Sequence, residues 1–323
     1  MRLRWAPCIG TLLLLAGCEG RQAVLAPMGP ESRRIVELTD HLFIGGAAIF
    51  LLVMALLIVA LAGGESVRRS LSSRAAVLVG GVAFPVVVLA VMLVHTLGIA
   101  ASLGSNEAQL RITVTGRQFW WEVRYPDHGI VTANEIHIPV GRPIELLLES
   151  GDVIHSFWVP ALHGKRDMIP GRVNRLVVTA DRPGVMRGQC AEFCGTQHAL
   201  MALFVVAESE PDFQHWVERL GRPVAPPEDE FLALGWEAFG RAGCGACHAV
   251  RGTPWQGRTG PDLTLVGSRL SLAAGTLDNS HATLAGWIGA PQALKEGARM
   301  PGFGAVLDGR ELRAVAAWLG SLQ

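Results

Sequence analysis

The sequence predicts a multi-domain membrane protein: two transmembrane helices, then an all-β sandwich, then a small all-α domain. Three observations predict it. Two long apolar runs, Leu42 to Ala62 and Ala75 to Ala100, each reach or exceed the ~20 residues that cross a bilayer. From Leu110 to about Val206, short runs alternate apolar and polar residues with period two, punctuated by Gly, Pro, Asp and Asn. After Asp229 the apolar residues fall on helical stripes instead.

The chain has 323 residues, more than one typical domain. Half are apolar, and 28 Lys and Arg balance 28 Asp and Glu. That balance gives no electrostatic basis for nucleic-acid binding.

Residues 1–17 read as a lipoprotein-type signal peptide. Arg2 and Arg4 form a basic start, and Ile9 to Leu15 form an apolar stretch too short to span. Leu15-Ala16-Gly17-Cys18 has the form of a lipobox, which makes Cys18 the lipid-modified first residue of the mature chain on the outer side. The alternative is an ordinary signal with a Cys after Gly by chance. Residues 18–41 follow as an exported segment, then transmembrane helices at 42–62 and 75–100. The loop between them, 63–74, carries Arg68, Arg69 and Arg74 against Glu65 and is therefore cytoplasmic. The N-terminus and everything after residue 101 then lie on the periplasmic side of a bacterial inner (cell) membrane. Pro85 is tolerated in the second span where neighbours satisfy the freed carbonyl. His95, near its outer end, reads as an interfacial or helix-packing residue.

The β region, 105–209, opens with Leu110, Ile112 and Val114 alternating with Arg111, Thr113 and Thr115. Further strands are expected at Phe119–Tyr125, Glu135–Val140, Ile144–Glu149, Val153–Pro160, Val173–Thr179 and Leu200–Ala207. Short strands so spaced suggest a Greek-key sandwich or barrel. Residues 210–228 read as a linker, with a short helix at Pro211 to Leu220 and a Pro-rich end. In 229–323 Phe231, Leu234, Ala238 and Phe239 share one face of a first helix. A second helix covers Ala282 to Gly289. A third, Arg310 to Leu322, aligns Leu312, Val315, Ala316 and Leu319. So small a helical core calls for a staple, such as a covalently held cofactor.

The six cysteines could make three disulfides in an exported chain. Their clustering assigns the four downstream ones to cofactors instead. The run Cys190-Ala-Glu192-Phe-Cys194-Gly-Thr-Gln-His198-Ala-Leu-Met201 puts two thiols, an imidazole and a thioether in one loop, and His155 lies upstream at a strand end. Soft sulfur donors with imidazole suit copper. Two thiolates can bridge two copper ions, each completed by one imidazole and one weak axial ligand. The competing reading is structural zinc on His155, Cys190, Cys194 and His198, which leaves Met201 without a place.

Cys244-Gly-Ala-Cys247-His248 is the c-type haem attachment pattern, with two thiols for the vinyl groups and His248 as proximal ligand. A redox dithiol is the alternative for a bare Cys-x-x-Cys. Met300 follows the motif and is the sixth-ligand candidate, with His281 as the alternative.

The run from Asp152 to Asn174, the Cys190–Met201 loop, the stretch Gly116-Arg-Gln-Phe-Trp-Trp121 and the two preceding helices resemble subunit II of haem-copper cytochrome c oxidases, over about residues 35–208. Residues 229–323 resemble a class I cytochrome c, the fusion found in caa-type oxidases. The resemblance implies a cupredoxin-like sandwich with a dinuclear copper A site on His155, Cys190, Glu192, Cys194, His198 and Met201. Glu192 would use its backbone carbonyl for copper and its carboxylate for a magnesium ion shared with the catalytic subunit. It also implies that a carbonyl in Gly260-Pro261-Asp262-Leu263 accepts a hydrogen bond from His248. Phe119, Trp120 and Trp121 are candidates for the electron path, core packing being the other reading of the tryptophans. Phe119 stands where relatives often carry Trp, and Leu78 where many carry a proton-channel Glu.

The expected role is electron input, from haem c to the copper pair and on to catalytic subunit I, where oxygen becomes water and protons are translocated. No catalytic residue is expected on this chain. Expected partners are subunit I, subunit III, the bilayer and a donor such as a cytochrome c or an upstream respiratory complex. The alternative is the input subunit of a copper A nitric oxide reductase. Nitrous oxide reductase is disfavoured by chain length, and quinol oxidase subunits normally lack the copper ligands.

Overall fold

The computed structural model of the chain describes residues 20–102, 108 and 110–323. Cys18 and the signal segment lie outside the described residues. Residues 31–105 form one unit, and residue 30 with what precedes it, together with 106–323, forms the other.

The first unit carries two long apolar helices, Pro30–Ala62 and Arg74–Ser102, whose apolar windows are wholly unburied within the chain. Apolar surface on that scale needs lipid or a partner. The first helix begins well before Leu42 because hydropathy marks only the part in lipid. Pro30 at its first position and the helix-forming run Glu31-Ser-Arg-Arg-Ile35 extend it beyond. The second contains a π-helical turn, Val79–Ala83, just ahead of Pro85, where the missing N–H would leave a carbonyl unpaired. Between the two, Glu65–Leu71 is a short helix with an Arg69–Glu65 pair at 2.8 Å. His95 is exposed and meets His41 edge-on, ring centroids 5.4 Å apart.

The sandwich has two five-stranded sheets. Strands β1 (Leu110–Arg117), β2 (Trp120–Tyr125), β3 (Ile130–Ala133), β4 (Glu135–Pro139), β5 (Ile144–Ser150), β6 (His155–Trp158), β7 (Arg166–Met168), β8 (Asn174–Val178), β9 (Gly184–Cys190) and β10 (Ala202–Glu208) run in chain order. One sheet has the order β3-β2-β1-β5-β8, the other β4-β10-β9-β6-β7. Period-two alternation buries Ile112 and Val114 against Trp121, Ile136 and Phe157. Residues ahead of the first helix lie along this sandwich: Met28 N donates to Ala161 O and Asp181 N to Met28 O. In the second sheet β6 pairs with β9 and β9 with β10, with Phe157 opposite Cys190 and Ala202 opposite Gln189. That pairing gathers the start of β6, the end of β9 and the start of β10 at one edge of the sandwich.

Glu210–Gly221, within the expected linker, is a helix capped by Ser209. It buries Phe213, Trp216 and Leu220 in the sandwich core, and Trp216 stacks on His137 at 4.2 Å and 11°. The connection to the next domain is therefore short, about residues 222–229, and Val224 N within it donates to Arg251 O at 2.8 Å.

The C-terminal domain is built on helices Glu230–Arg241, His281–Gly289 and Gly309–Ser321. Asp229 caps the first, and capping boxes at Ser280/Thr283 and Asp308/Glu311 start the other two. The first and last cross at backbone contact. A Cβ on Gly235 would meet Ala314 O at 2.2 Å. Trp236, Phe239, Trp255 and Trp318 pack edge to face beside that crossing.

Candidate functional site

The strand edge described above carries the two-cysteine loop. His155 opens β6, Cys190 closes β9, and Cys194, His198 and Met201 lie on the connection into β10. The two sulfurs are 3.8 Å apart, far beyond a disulfide bond, and both cysteines are free. His155 Nδ1 is 3.9 Å from the Cys190 sulfur, and His198 Nδ1 is 3.8 Å from the Cys194 sulfur. Met201 Sδ is 3.9 Å from the Cys194 sulfur, and Glu192 O is 3.1 Å from that of Cys190. The donor atoms of His155, Cys190 and Cys194 lie within 4.8 Å of one another. Each sulfur thus has an imidazole of its own and one weak donor, which fits a pair of copper ions. A single tetrahedral zinc would leave the buried thioether unused.

The surroundings hold these donors in place. Asp152 Oδ1 accepts from His155 Nε2 at 2.8 Å, which leaves Nδ1 free to face the sulfurs. Gly116 admits the ring, since a Cβ there would meet His155 Cδ2 at 2.8 Å. The thiols titrate as a pair. The hydrogen bond from Cys194, followed by that to His155, overcomes burial and holds the Cys190 thiol well below its ordinary value, and the same pairing, with burial, pushes Cys194 up. Burial opposes the imidazolium of His155, but its bonds to Cys190 and Asp152 outweigh that and raise its pKa.

Of the neighbouring expectations, the Glu192 carboxylate faces Lys165 Nζ at 3.4 Å while its carbonyl faces Cys190. Trp121 is fully buried in the core, edge-on to Phe157 with centroids 6.0 Å apart. Trp120 is half-buried, with the Arg117 guanidinium 5.9 Å from its ring centroid. The Phe119 ring lies against Gly195 of the two-cysteine loop.

In the helical domain Cys244 is buried and Cys247 exposed, across the 3-10 turn Cys244–Ala246. His248 Nδ1 donates to Pro261 O at 2.7 Å, which leaves Nε2 as the free ligand nitrogen. Burial pulls the His248 pKa down, keeping the imidazole neutral and able to bind a metal. Gly260 lies against the ring, where a Cβ would meet Cε1 at 2.5 Å. Met300 and Phe303 are each half-buried against the domain's apolar cluster. His281, at the start of its helix, is exposed. The attachment cysteines, a neutral His with a free nitrogen and a thioether in apolar surroundings fit a covalent haem. The reading from sequence missed Gln118, Lys295 and Arg299, which join the two sites. Lys295 is buried with its ammonium on three carbonyls.

A membrane-anchored sandwich with a two-cysteine metal loop, followed by a Cys-x-x-Cys-His helical domain, defines an electron-transfer protein of the respiratory type. The family model for the periplasmic domain of cytochrome c oxidase subunit II matches residues 130–208, and the cytochrome c model matches 232–323. The cytochrome c oxidase subunit 2 of Alkalihalophilus pseudofirmus is 32% identical, over 99% of this chain and 97% of its own. That of Bacillus subtilis is 31% identical over 74% of this chain and 69% of its own. The crystal structure of the periplasmic domain of subunit II of cytochrome oxidase from Bradyrhizobium japonicum is 34% identical, covering 36% of this chain and 95% of its own, with a TM-score of 0.35. The chain belongs to the cytochrome c oxidase subunit II family, in the form that ends in a cytochrome c domain. Membership makes it an electron-input subunit of a haem-copper oxidase, anchored in a membrane and associated with the catalytic subunit.

Proposed function

We propose that this subunit takes electrons from a donor such as a cytochrome c or an upstream respiratory complex and delivers them to a catalytic subunit that reduces oxygen to water with proton translocation. In this reading His155, Cys190, Cys194, His198, Met201 and the Glu192 carbonyl hold two copper ions. Cys244 and Cys247 would hold haem c covalently, and His248 and Met300 would ligate its iron. When bound, the copper pair and the haem supply reversible one-electron carriage. The observation that carries the reading is the spacing of the Cys190 and Cys194 sulfurs, 3.8 Å apart with a separate imidazole beside each.

The chain's own residues then do defined work. The two thiols would provide sulfur donors to the copper pair, and Asp152 fixes the ring of His155. The Pro261 carbonyl fixes His248. Burial of Cys190, Cys194 and Met201 keeps water from the site. The Glu192 carboxylate, next to Lys165, serves the interface with subunit I and a magnesium ion there. Cys18 carries the lipid, the loop with Arg68 and Arg69 is cytoplasmic, and both cofactor domains are periplasmic. Subunit III completes the complex.

The test is turnover by the purified complex, with its haem content determined. Oxygen consumption with reduced cytochrome c as donor, and none of comparable rate with nitric oxide, is expected. Turnover of nitric oxide without oxygen consumption would assign the chain to a nitric oxide reductase instead.

A further inference from the structure

The cytochrome domain is seated on the back of the copper loop. Lys295, in the loop that leads to Met300, is 4% exposed. Its ammonium donates to Leu200 O at 2.8 Å and approaches Phe119 O at 3.5 Å, both in the copper domain, and donates to Ala273 O at 2.8 Å in its own. Thr276 Oγ1 donates to the same Leu200 carbonyl at 3.2 Å, and Ala202 N donates to Ala274 O at 2.9 Å. The backbone on both sides of the copper ligand Met201 is therefore held by the cytochrome domain. At the rim, Arg299 donates to Gln118 Oε1, and Gln118 Nε2 donates to the Cys194 carbonyl at 2.6 Å.

Two features mark this contact as built. A buried lysine is costly, and its acceptors here are carbonyl oxygens rather than a carboxylate, so its placement serves orientation more than stability. Ala273 and Ala274 have φ of +53° and +57°, left-handed conformations that a residue with a Cβ adopts only when its surroundings impose them. The carbonyls of those two residues are the ones that meet Lys295 and Ala202. Gly275 follows at φ +77°, and a Cβ on it would come 2.7 Å from Ala202 Cβ. Only glycine allows the approach.

The geometry points to Lys295 and Arg299 as positioning residues that clasp the cytochrome domain onto the copper domain, leaving the hydrogen-bonded chain Arg299–Gln118–Cys194 between the haem-ligand loop and the copper loop. The inference rests on the relay described above. When bound, the haem and the copper pair would carry the electron, and the clasp residues would neither gain nor lose a bond or a proton. Burial pushes the Lys295 pKa down to about 8, so the side chain remains an ammonium at neutral pH.

The experiment uses the full chain in its complex and has two arms. Spin labels on noncanonical residues at exposed Glu218, on the helix packed into the copper domain, and at exposed Arg310, on the last helix, report the distance between domains. A single narrow distribution is expected, broadening in Lys295→Met. In the second arm the haem is photoreduced by a ruthenium sensitiser and the copper absorption is followed. Lys295→Met and Arg299→Gln should slow transfer about ten-fold or more by depleting the clasped state, with Arg299→Lys partly restoring it. Each variant's haem and copper spectra should stay those of the parent. A broad distribution in the parent chain, or parental transfer rates in both variants, overturns the clasp. Absence of the copper pair or of covalent haem would instead overturn the functional reading, and the distance arm would still decide the clasp.

Discussion

Asp152 is the most informative residue to remove, because it joins the copper site to the stretch that reaches the cytochrome domain. Its carboxylate accepts from His155 Nε2 at 2.8 Å, from Gln118 N at 2.7 Å and from Val153 N at 2.7 Å. Burial opposes its charge, yet these bonds outweigh that and hold its pKa below the ordinary carboxylate value. In Asp152→Ala the Val153 amide turns to water. The His155 ring, 0% exposed, has no such recourse. One stranded donor costs about 1–3 kcal/mol of local stability. The part felt at the metal is the freedom of the His155 ring to turn. Loss of a carboxylate that orients a ligating His lowers metal affinity by about 10–100-fold, or about 1.4–2.7 kcal/mol. Copper competition against a chelator, with circular dichroism to confirm the fold, measures it. A folded Asp152→Ala chain that binds copper as tightly as the parent would refute the orienting role.

Three further outcomes follow from the packing and the charges. Met300→Ala should abolish the sulfur-to-iron absorption band and lower the haem potential; survival of the band would remove Met300 as the ligand. Burial disfavours the His137 imidazolium, but its bonds to Glu135 and Glu208 outweigh that and raise its pKa above 6.5. Its contribution to stability is then complete below 6.5 and lost as pH rises through the folded value. His137→Gln should flatten the fall in melting temperature across neutral pH, and an unchanged slope would count against the ion pairs. Gly235→Ala forces a Cβ to within 2.2 Å of Ala314 O and should destabilise the cytochrome domain by about 1–3 kcal/mol or more. An unchanged thermal midpoint for that domain would show that the two helices can separate without penalty.

Much of the architecture was legible because its signals are local. Period-two alternation around Ile112 and Val114 and the apolar runs of the spanning helices need no partner to be read. The two-cysteine loop and the Cys244–His248 motif were legible as candidate sites, since most of their donor side chains are crowded into a few residues. Strands β3, β7 and β9 were not foreseen, β3 (Ile130–Ala133) being only four residues long. Arg166-Asp167-Met168 and Gly184-Val-Met-Arg-Gly-Gln-Cys190 have few β-branched residues, and neighbouring strands rather than propensity hold them extended. Within the segment read as a linker, the helix Glu210–Gly221 was expected, but its docking was not. Nothing local says that Trp216 will stack on His137. Lys295 was the least legible of all. A lysine in a short loop reads as solvated surface, and its carbonyl partner Leu200 is 95 residues away in the chain. Only the folded chain turns that lysine inward.

The central claim is that two copper ions and one covalent haem share this chain. Copper, zinc and haem quantified on the purified protein, together with its electron spin resonance, test it most directly. Two coppers and one haem c per chain are expected, with a mixed-valence signal that disappears in Cys190→Ser and in Cys194→Ser. Stoichiometric zinc, or a single copper with the signal of an isolated ion, would contradict it.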